Sequence, residues 1–266
     1  MYGGFENRRS NKIIKAALDN DINYFDTAPR YGDSEKIIGK FLKGNHDVII
    51  SSKVGLNPIN ESLFKKNSNF MKRELKLRMK NNFKFAEHYL NKKLKKRYDN
   101  TIYNLNNFIQ IRPNNLVLSQ KEIKYSLHKT LNNLQRNYLD VLFLHEPDQY
   151  SNINEIQGIF NDLKQEGLIK NYGLGFHRWL NNKDNFNSAF LTLSMFKKDM
   201  IYEESYNSEQ IFIHGAMGYY KFGLDINEIR KYQSPLDFMR KLTTLHPNAT
   251  FLIAPSNHYQ LIDFVV

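Results

Sequence analysis

The stretch YFDTAPRYG sets Asp26 at the end of an apolar run and Tyr31 five positions on. Two more ionisable residues close apolar runs of the same kind: Lys53 ends DVIISSK and His145 ends LDVLFLH. A free tyrosine has a pKa near ~10 and is a poor proton donor at neutral pH. A nearby ammonium stabilises the phenolate and lowers that pKa. Lys53 can supply the ammonium, and a carboxylate at Asp26 can hold it in place and keep it charged. His145 can orient a substrate carbonyl by hydrogen bonding. Gathered in one pocket, the four groups would polarise a carbonyl and protonate its oxygen, the protein's half of a hydride transfer. No side chain carries a hydride, so this chemistry calls for a cofactor. Alone, Asp26 and Tyr31 read equally well as a helix cap and a core tyrosine.

The elements around these residues alternate. Ser10 can cap a helix carrying Ile13, Ile14, Ala17 and Leu18, and INYF follows as a strand ending at Asp26. DSEKIIGKFLKG reads as a helix that starts at Asp33 or Ser34, turns Ile37, Ile38, Phe41 and Leu42 to one face, and stops at Gly44. SQKEIKYSLHKTLNNLQ opens with a capping box, Ser119 and Glu122, and carries Ile123, Leu127, Leu131 and Leu134 on one side. NEIQGIFNDLKQEG is a helix stopped by Gly167, and SPLDFMRKLTTLHP one opened by Pro235. LIKNYGLG, MIYEESY, QIFIHGA and ATFLIAP are further strands, and HYQLIDFVV is a last short helix. Apolar strands separated by helices predict a parallel sheet buried on both faces. At 266 residues, repeated βα units favour an α/β TIM (β/α)8-type barrel over a doubly wound sheet. Asp26, Lys53 and His145 would then meet at the carboxyl end of the barrel, where active sites are built.

One segment breaks the alternation. Residues 56–116 stand where a short loop is usual, and Met71, Leu75, Met79, Phe83, Ala86, Leu90 and Leu94 recur there at helical spacing. We expect a basic helical insert within a single barrel domain spanning 1–266. The net charge of +11 sits entirely in this segment: Lys65–Arg97 holds 13 basic residues against Glu74 and Glu87, and the remaining charges balance. Three readings of it stand side by side: a helix over the barrel mouth or rim, a membrane-surface or anionic-polymer contact through 65–97, and a nucleic-acid surface. The neutral body and the lack of a reading motif count against nucleic acid. The absence of cysteine excludes thiol nucleophiles, disulfides and zinc-thiolate sites, and suits a cytoplasmic location. No run approaches the ~18 apolar residues of a spanning helix.

These residues resemble the aldo-keto reductase family. FDTAPRYG matches its strand-2 signature, SSKVG its strand-3 lysine segment and LDVLFLHEPD its strand-4 histidine segment, in the same order. The resemblance covers most of the chain outside 56–116. It implies a (β/α)8 barrel, a nicotinamide cofactor (NADPH usually, NADH as the alternative), a small carbonyl or sugar substrate, and no metal. It also implies a catalytic tetrad of Asp26, Tyr31, Lys53 and His145, with Tyr31 as general acid.

The cofactor positions depart from the family pattern. Gly175 and Phe176 stand where the family has Ser and Asn after strand 5, and Glu203 replaces the strand-6 Gln, though Tyr206 and Asn207 match. His214 stands where an aromatic stacks on the nicotinamide, and is equally a strand-end histidine. Ser256 and Asn257 follow strand 8, without the Arg that often meets the 2′-phosphate. His177 and Arg178 either line the pocket or lie in a solvated loop, and Tyr219 and Tyr220 are packing residues. MYGGFEN resembles the loop after strand 1, so strand 1 and the family's final helix are expected to be missing, with a reading frame that begins upstream. Two functions follow: an NAD(P)H-dependent oxidoreductase, favoured by the intact tetrad, or an inactive reductase-like scaffold or binding protein, favoured by the altered cofactor positions.

Overall fold

The computed structural model describes residues 7–55, 118–145, 153–175, 190–194, 210–217, 220, 226–255 and 257–265. The strands are β1 (Tyr24–Asp26), β2 (Ile49–Val54), β3 (Leu139–His145), β4 (Ile169–Gly175), β5 (Phe190–Ser194), β6 (Gln210–His214) and β7 (Ala249–Leu252). The helices are α1 (Asn7–Leu18), α2 (Ser34–Phe41), α3 (Gln120–Leu134), α4 (Ile153–Gln165), α5 (Ile226–Ile229), α6 (Pro235–Leu245) and α7 (His258–Val265). The chain divides into two compact units, Met1–Pro58 with Asn115–Val266, and Ile59–Asn114. The expected insert helix lies outside the described residues, as does the expected strand MIYEESY.

Every described strand pairs in parallel with its neighbour in the chain, in the order β1-β2-β3-β4-β5-β6-β7. A doubly wound sheet must reverse its order at a switch point, whereas sequential order is the wall of a barrel. The pleat sorts the side chains. Ile50 and Val54 of β2, Leu142 and Leu144 of β3, Leu174 of β4, and Ile211 and Ile213 of β6 join the main core with the helices. The alternate positions point the other way, where Val141, Phe143 and Phe212 form a second cluster with Tyr24 and Leu252 against it. Tyr24 of β1 stacks on Phe212 of β6 with ring centroids 4.7 Å apart. Those strands are far apart in sheet order, so the sheet is rolled until its flanks face each other. Among the described residues no ladder joins β7 to β1.

The helices follow the apolar stripes. Ile123, Leu127, Leu131 and Leu134 of α3 are all buried. Its capping box is closed: Glu122 N donates to Ser119 Oγ (3.3 Å) and Ser119 N to Glu122 Oε2 (2.9 Å). Ser119→Ala should therefore lower stability by about 0.5–2 kcal/mol. Urea denaturation should show an earlier midpoint at unchanged slope, and an unmoved midpoint would mean that the cap contributes nothing. Two expectations need correction. Ser10 does not cap α1, which begins at Asn7. It lies three and four residues before Ile13 and Ile14, on the same buried stripe. Phe41 of α2 is 36% exposed while Ile37, Ile38 and Leu42 are buried, because it sits at the edge of the stripe.

At the amino ends of the strands, Asp140 accepts from Arg136 Nη1 (3.2 Å), Lys170 Nζ (3.0 Å) and the Ile50 amide (3.0 Å). Arg136 also reaches the carbonyls of Asn45 and Val48. This clamp fixes β2, β3 and β4 from below and leaves their carboxyl ends free for chemistry.

Candidate active site

Asp26 ends β1 and faces inward with Tyr24. Ser51 and Lys53 lie two apart on β2, with inward positions that alternate with Ile50 and Val54. The register sets Asp26 beside Ser51, Lys53 beside Phe143, and His145 beside Gly175. Each step along the wall thus brings the next polar residue up to the rim. Lys53 Nζ holds both Asp26 oxygens, at 2.7 and 2.6 Å, and also donates to the Thr27 carbonyl (2.9 Å). Ser51 Oγ donates to Asp26 Oδ1 (2.7 Å). The Lys53 and Asp26 side chains are 6% and 13% exposed, so the pair is shielded from water. Charge-assisted bonds of this length in a dry site are strong and geometrically restrictive.

Burial would raise the Asp26 carboxyl, but the Lys53 ammonium and the hydrogen bonds from Lys53 and Ser51 outweigh it and hold the group below the usual carboxylate range. Asp26 is therefore an anion at neutral pH. Tyr24, two residues earlier, has a buried hydroxyl with no hydrogen-bond partner. Burial and then the Asp26 charge push its phenol far above the ordinary tyrosine range, so it keeps its proton and is no acid.

Tyr31 stands in the loop from β1 to α2. Its amide donates to the Ala28 carbonyl (2.9 Å), and its carbonyl accepts from the Ser34 amide (3.4 Å). Gly32, at φ 65°, turns the chain into α2, a conformation glycine adopts without strain. The Lys53 ammonium lies 4.9 Å from the Tyr31 ring centre. The His145 ring meets Tyr31 edge-on, centroids 6.2 Å apart at 86°. The four residues singled out from sequence thus form one constellation at the rim. Reasoning from sequence passed over Ser51 and the Thr27 carbonyl. The signal for Ser51 was present, since two residues apart on a strand share a face.

Among the expected cofactor residues, Gly175 ends β4 beside His145 and is buried, and His214 ends β6, half-buried and paired with Ser194. Asn257 precedes α7, and its side-chain oxygen accepts from the Gln260 amide (3.0 Å). Glu203, Tyr206 and Ser256 lie outside the described residues, as do Phe176, His177, Arg178, Asn207 and Tyr219. Tyr220 packs in an aromatic group with Tyr232 and Phe238. The inward positions at the carboxyl end of β4 are Gly173 and Gly175, because Leu174 faces the outer core. The wall next to His145 is therefore without side chains, which suits a flat ring laid against it. Among the described residues no cluster of His, Asp or Glu could hold a metal ion. No helix there is long and apolar enough to cross a membrane.

Comparison with known proteins agrees with this layout. The sequence model described as "Aldo/keto reductase family" matches residues 1–184. Aldo-keto reductase YhdN of Bacillus subtilis is 44% identical over 70 residues, which cover 24% of this chain and 21% of that protein. The uncharacterized oxidoreductase YqkF of the same species is 26% identical over 177 residues, covering 65% of this chain and 42% of that protein. The chain thus spans well under two thirds of either curated relative. Among solved structures, the holo form of aldo-keto reductase AKR11C1 from Bacillus halodurans superposes with a TM-score of 0.65. The match covers 98% of this chain and 82% of that one at 19% identity, a likeness of fold alone.

Proposed function

The chain belongs to the aldo/keto reductase family, whose members are NAD(P)H-dependent oxidoreductases, and we propose that it reduces a small aldehyde, ketone or sugar carbonyl, or oxidises the corresponding alcohol. The observation that carries this reading is the buried Lys53–Asp26 pair with its ammonium 4.9 Å from the Tyr31 ring. Tyr31 donates its hydroxyl proton to the carbonyl oxygen. Lys53 stabilises the negative charge left on the phenol oxygen, and Asp26 keeps Lys53 charged and aimed. His145 hydrogen-bonds the carbonyl and orients it toward Tyr31. In the oxidative direction each of these steps runs backward.

The donor set fits a nicotinamide nucleotide: it supplies the proton and the charge stabilisation for a carbonyl reduction and lacks only a hydride source. Bound NADPH, or NADH, supplies that hydride. Gly175, with Glu203, Tyr206, His214, Ser256 and Asn257, would hold it. We place the activity in a single barrel domain over 1–266, with 56–116 as a basic insert between β2 and α3 in the chain. We place the protein in the cytoplasm, and assign any contact with anionic surfaces to 65–97.

The test is to titrate NADPH and NADH while following nicotinamide fluorescence, then to assay a panel of aldehydes, ketones and sugars. Saturable binding with turnover is expected. Absence of binding by either nucleotide at millimolar concentration would overturn the reading and leave a scaffold.

A further inference from the structure

The proposed chemistry leaves one deeply buried carboxylate unused. Glu35, in the first turn of α2, is 2% exposed. Its Oε1 accepts from Ser52 Oγ on β2 (2.8 Å) and from Thr130 Oγ1 on α3 (2.9 Å), and its Oε2 accepts from Asn133 Nδ2 on α3 (3.0 Å). Buried carboxylates usually sit beside a cation. This one is given three neutral donors from two other elements, which makes it a tie between α2, α3 and β2.

Its position makes the tie matter. Ser52 lies between Ser51 and Lys53, the two residues that hold Asp26. The residue before Glu35 is Ser34, whose hydroxyl is bonded to Thr27 Oγ1 (2.5 Å), with both residues buried. Thr27 in turn offers its carbonyl to Lys53. The loop carrying Tyr31 is thus fastened at Thr27 and at Ser34, and the tie behind Ser34 runs to the strand carrying Lys53. α2 also lies hard against α3, because a Cβ at Gly39 would collide with the backbone of Asn133 and Leu134. We infer that Glu35 is a positioning residue: from behind the sheet it sets the placement of Lys53 relative to Tyr31. This rests on reading Tyr31 and Lys53 as the carbonyl-reducing pair.

The test compares Glu35→Ala, Glu35→Gln and Ser52→Ala in the full chain. Glu35→Ala should lower kcat by about 10- to 100-fold, the scale of a slightly misplaced catalytic pair, with KM and NADPH affinity little changed. Glu35→Gln should recover most of it. The Gln oxygen still accepts from Ser52 and Thr130, and the Asn133 amide can reverse to offer its own oxygen. Ser52→Ala removes one bond with little change of volume, should lower kcat in the same sense, and keeps the test readable if Glu35→Ala does not fold.

A second readout needs no turnover. The Tyr31 phenol, labelled with carbon-13 and assigned by its loss in Tyr31→Phe, is titrated by NMR. It is faced by Lys53 from β2 and His145 from β3, with Asp26 behind Lys53 and Arg30 and Asp33 flanking it in the loop. Its titration should depart from that of the wild type in Glu35→Ala and Ser52→Ala, and stay in place in Glu35→Gln. Folded Glu35→Ala and Ser52→Ala variants with wild-type kcat and wild-type Tyr31 titration would overturn the inference. So would a Glu35→Gln variant as impaired as Glu35→Ala. If the wild type turned over nothing yet the titration moved as described, the positioning role would stand and the reductase reading would fall.

Discussion

Tyr31→Phe should lower kcat by at least about 100-fold, the usual scale of a general acid, while NADPH binds almost as before. The substitution removes one oxygen and leaves the ring that Lys53 and His145 pack against. Packing and the Asp26–Lys53 pair should therefore survive, and the loss should fall on proton transfer. Tyr24→Phe is the control. The Tyr24 hydroxyl is buried without a partner, and burial with the Asp26 charge keeps it protonated. Its removal should leave turnover near wild type, with stability unchanged or slightly higher. Steady-state kinetics on both variants decide the matter. If Tyr31→Phe kept activity within a few-fold of wild type, another group would be the donor, and His145 would be tested next.

The grouping of Asp26, Tyr31, Lys53 and His145 was legible in the sequence because each ends, or follows, an apolar run. Runs of this kind become parallel strands, and a barrel brings strand ends together whatever their separation in the chain. Asp26 and His145 are 119 positions apart by their numbers, yet the sheet sets both at one rim. What sequence could not supply was side-chain partnership. Ser51, Ser52 and Thr27 look like ordinary strand-end hydroxyls. Spacing puts Ser51 on the face of Lys53, but that Ser51 bonds Asp26 and Ser52 bonds Glu35 is seen only in the folded chain. Glu35 itself reads as a first-turn acid of an amphipathic helix, a place where carboxylates are favoured for the helix dipole alone.

The fold was legible where the pattern was strong. The stripe of α3 and its capping box survive unchanged, because local propensity and burial agree there. The start of α1 was misplaced because Ser10 is good cap chemistry in a position that tertiary packing uses as interior. β5, FLTLS, was passed over in favour of MIYEESY further along the chain. Its place in the wall is set by pairing with β4 and β6, information that a single segment does not carry.

Lys53→Met should have the largest effect on stability and should reverse its dependence on pH. Removing one partner of a buried ion pair costs about 3–5 kcal/mol, because the other charge is left without compensation. In the wild type the Asp26 carboxyl titrates below its unfolded value of ~3.9. The stability it contributes is present at neutral pH and is lost as pH falls from about that value through the folded one. In Lys53→Met the ammonium and its hydrogen bonds are gone, while burial, the strongest single influence on this carboxyl, remains. The folded value should rise above the unfolded one, so that the contribution is present in acid and lost as pH rises through the folded value. Urea denaturation at pH 7.5 and 5.5 should show the variant's deficit relative to wild type shrinking at the lower pH. Asp26→Asn added to Lys53→Met should restore much of the stability without restoring activity, because it removes the stranded charge but not the need for the ammonium. A deficit equal at both pH values, or a double variant no more stable than Lys53→Met alone, would mean that Asp26 is not held as an anion by Lys53.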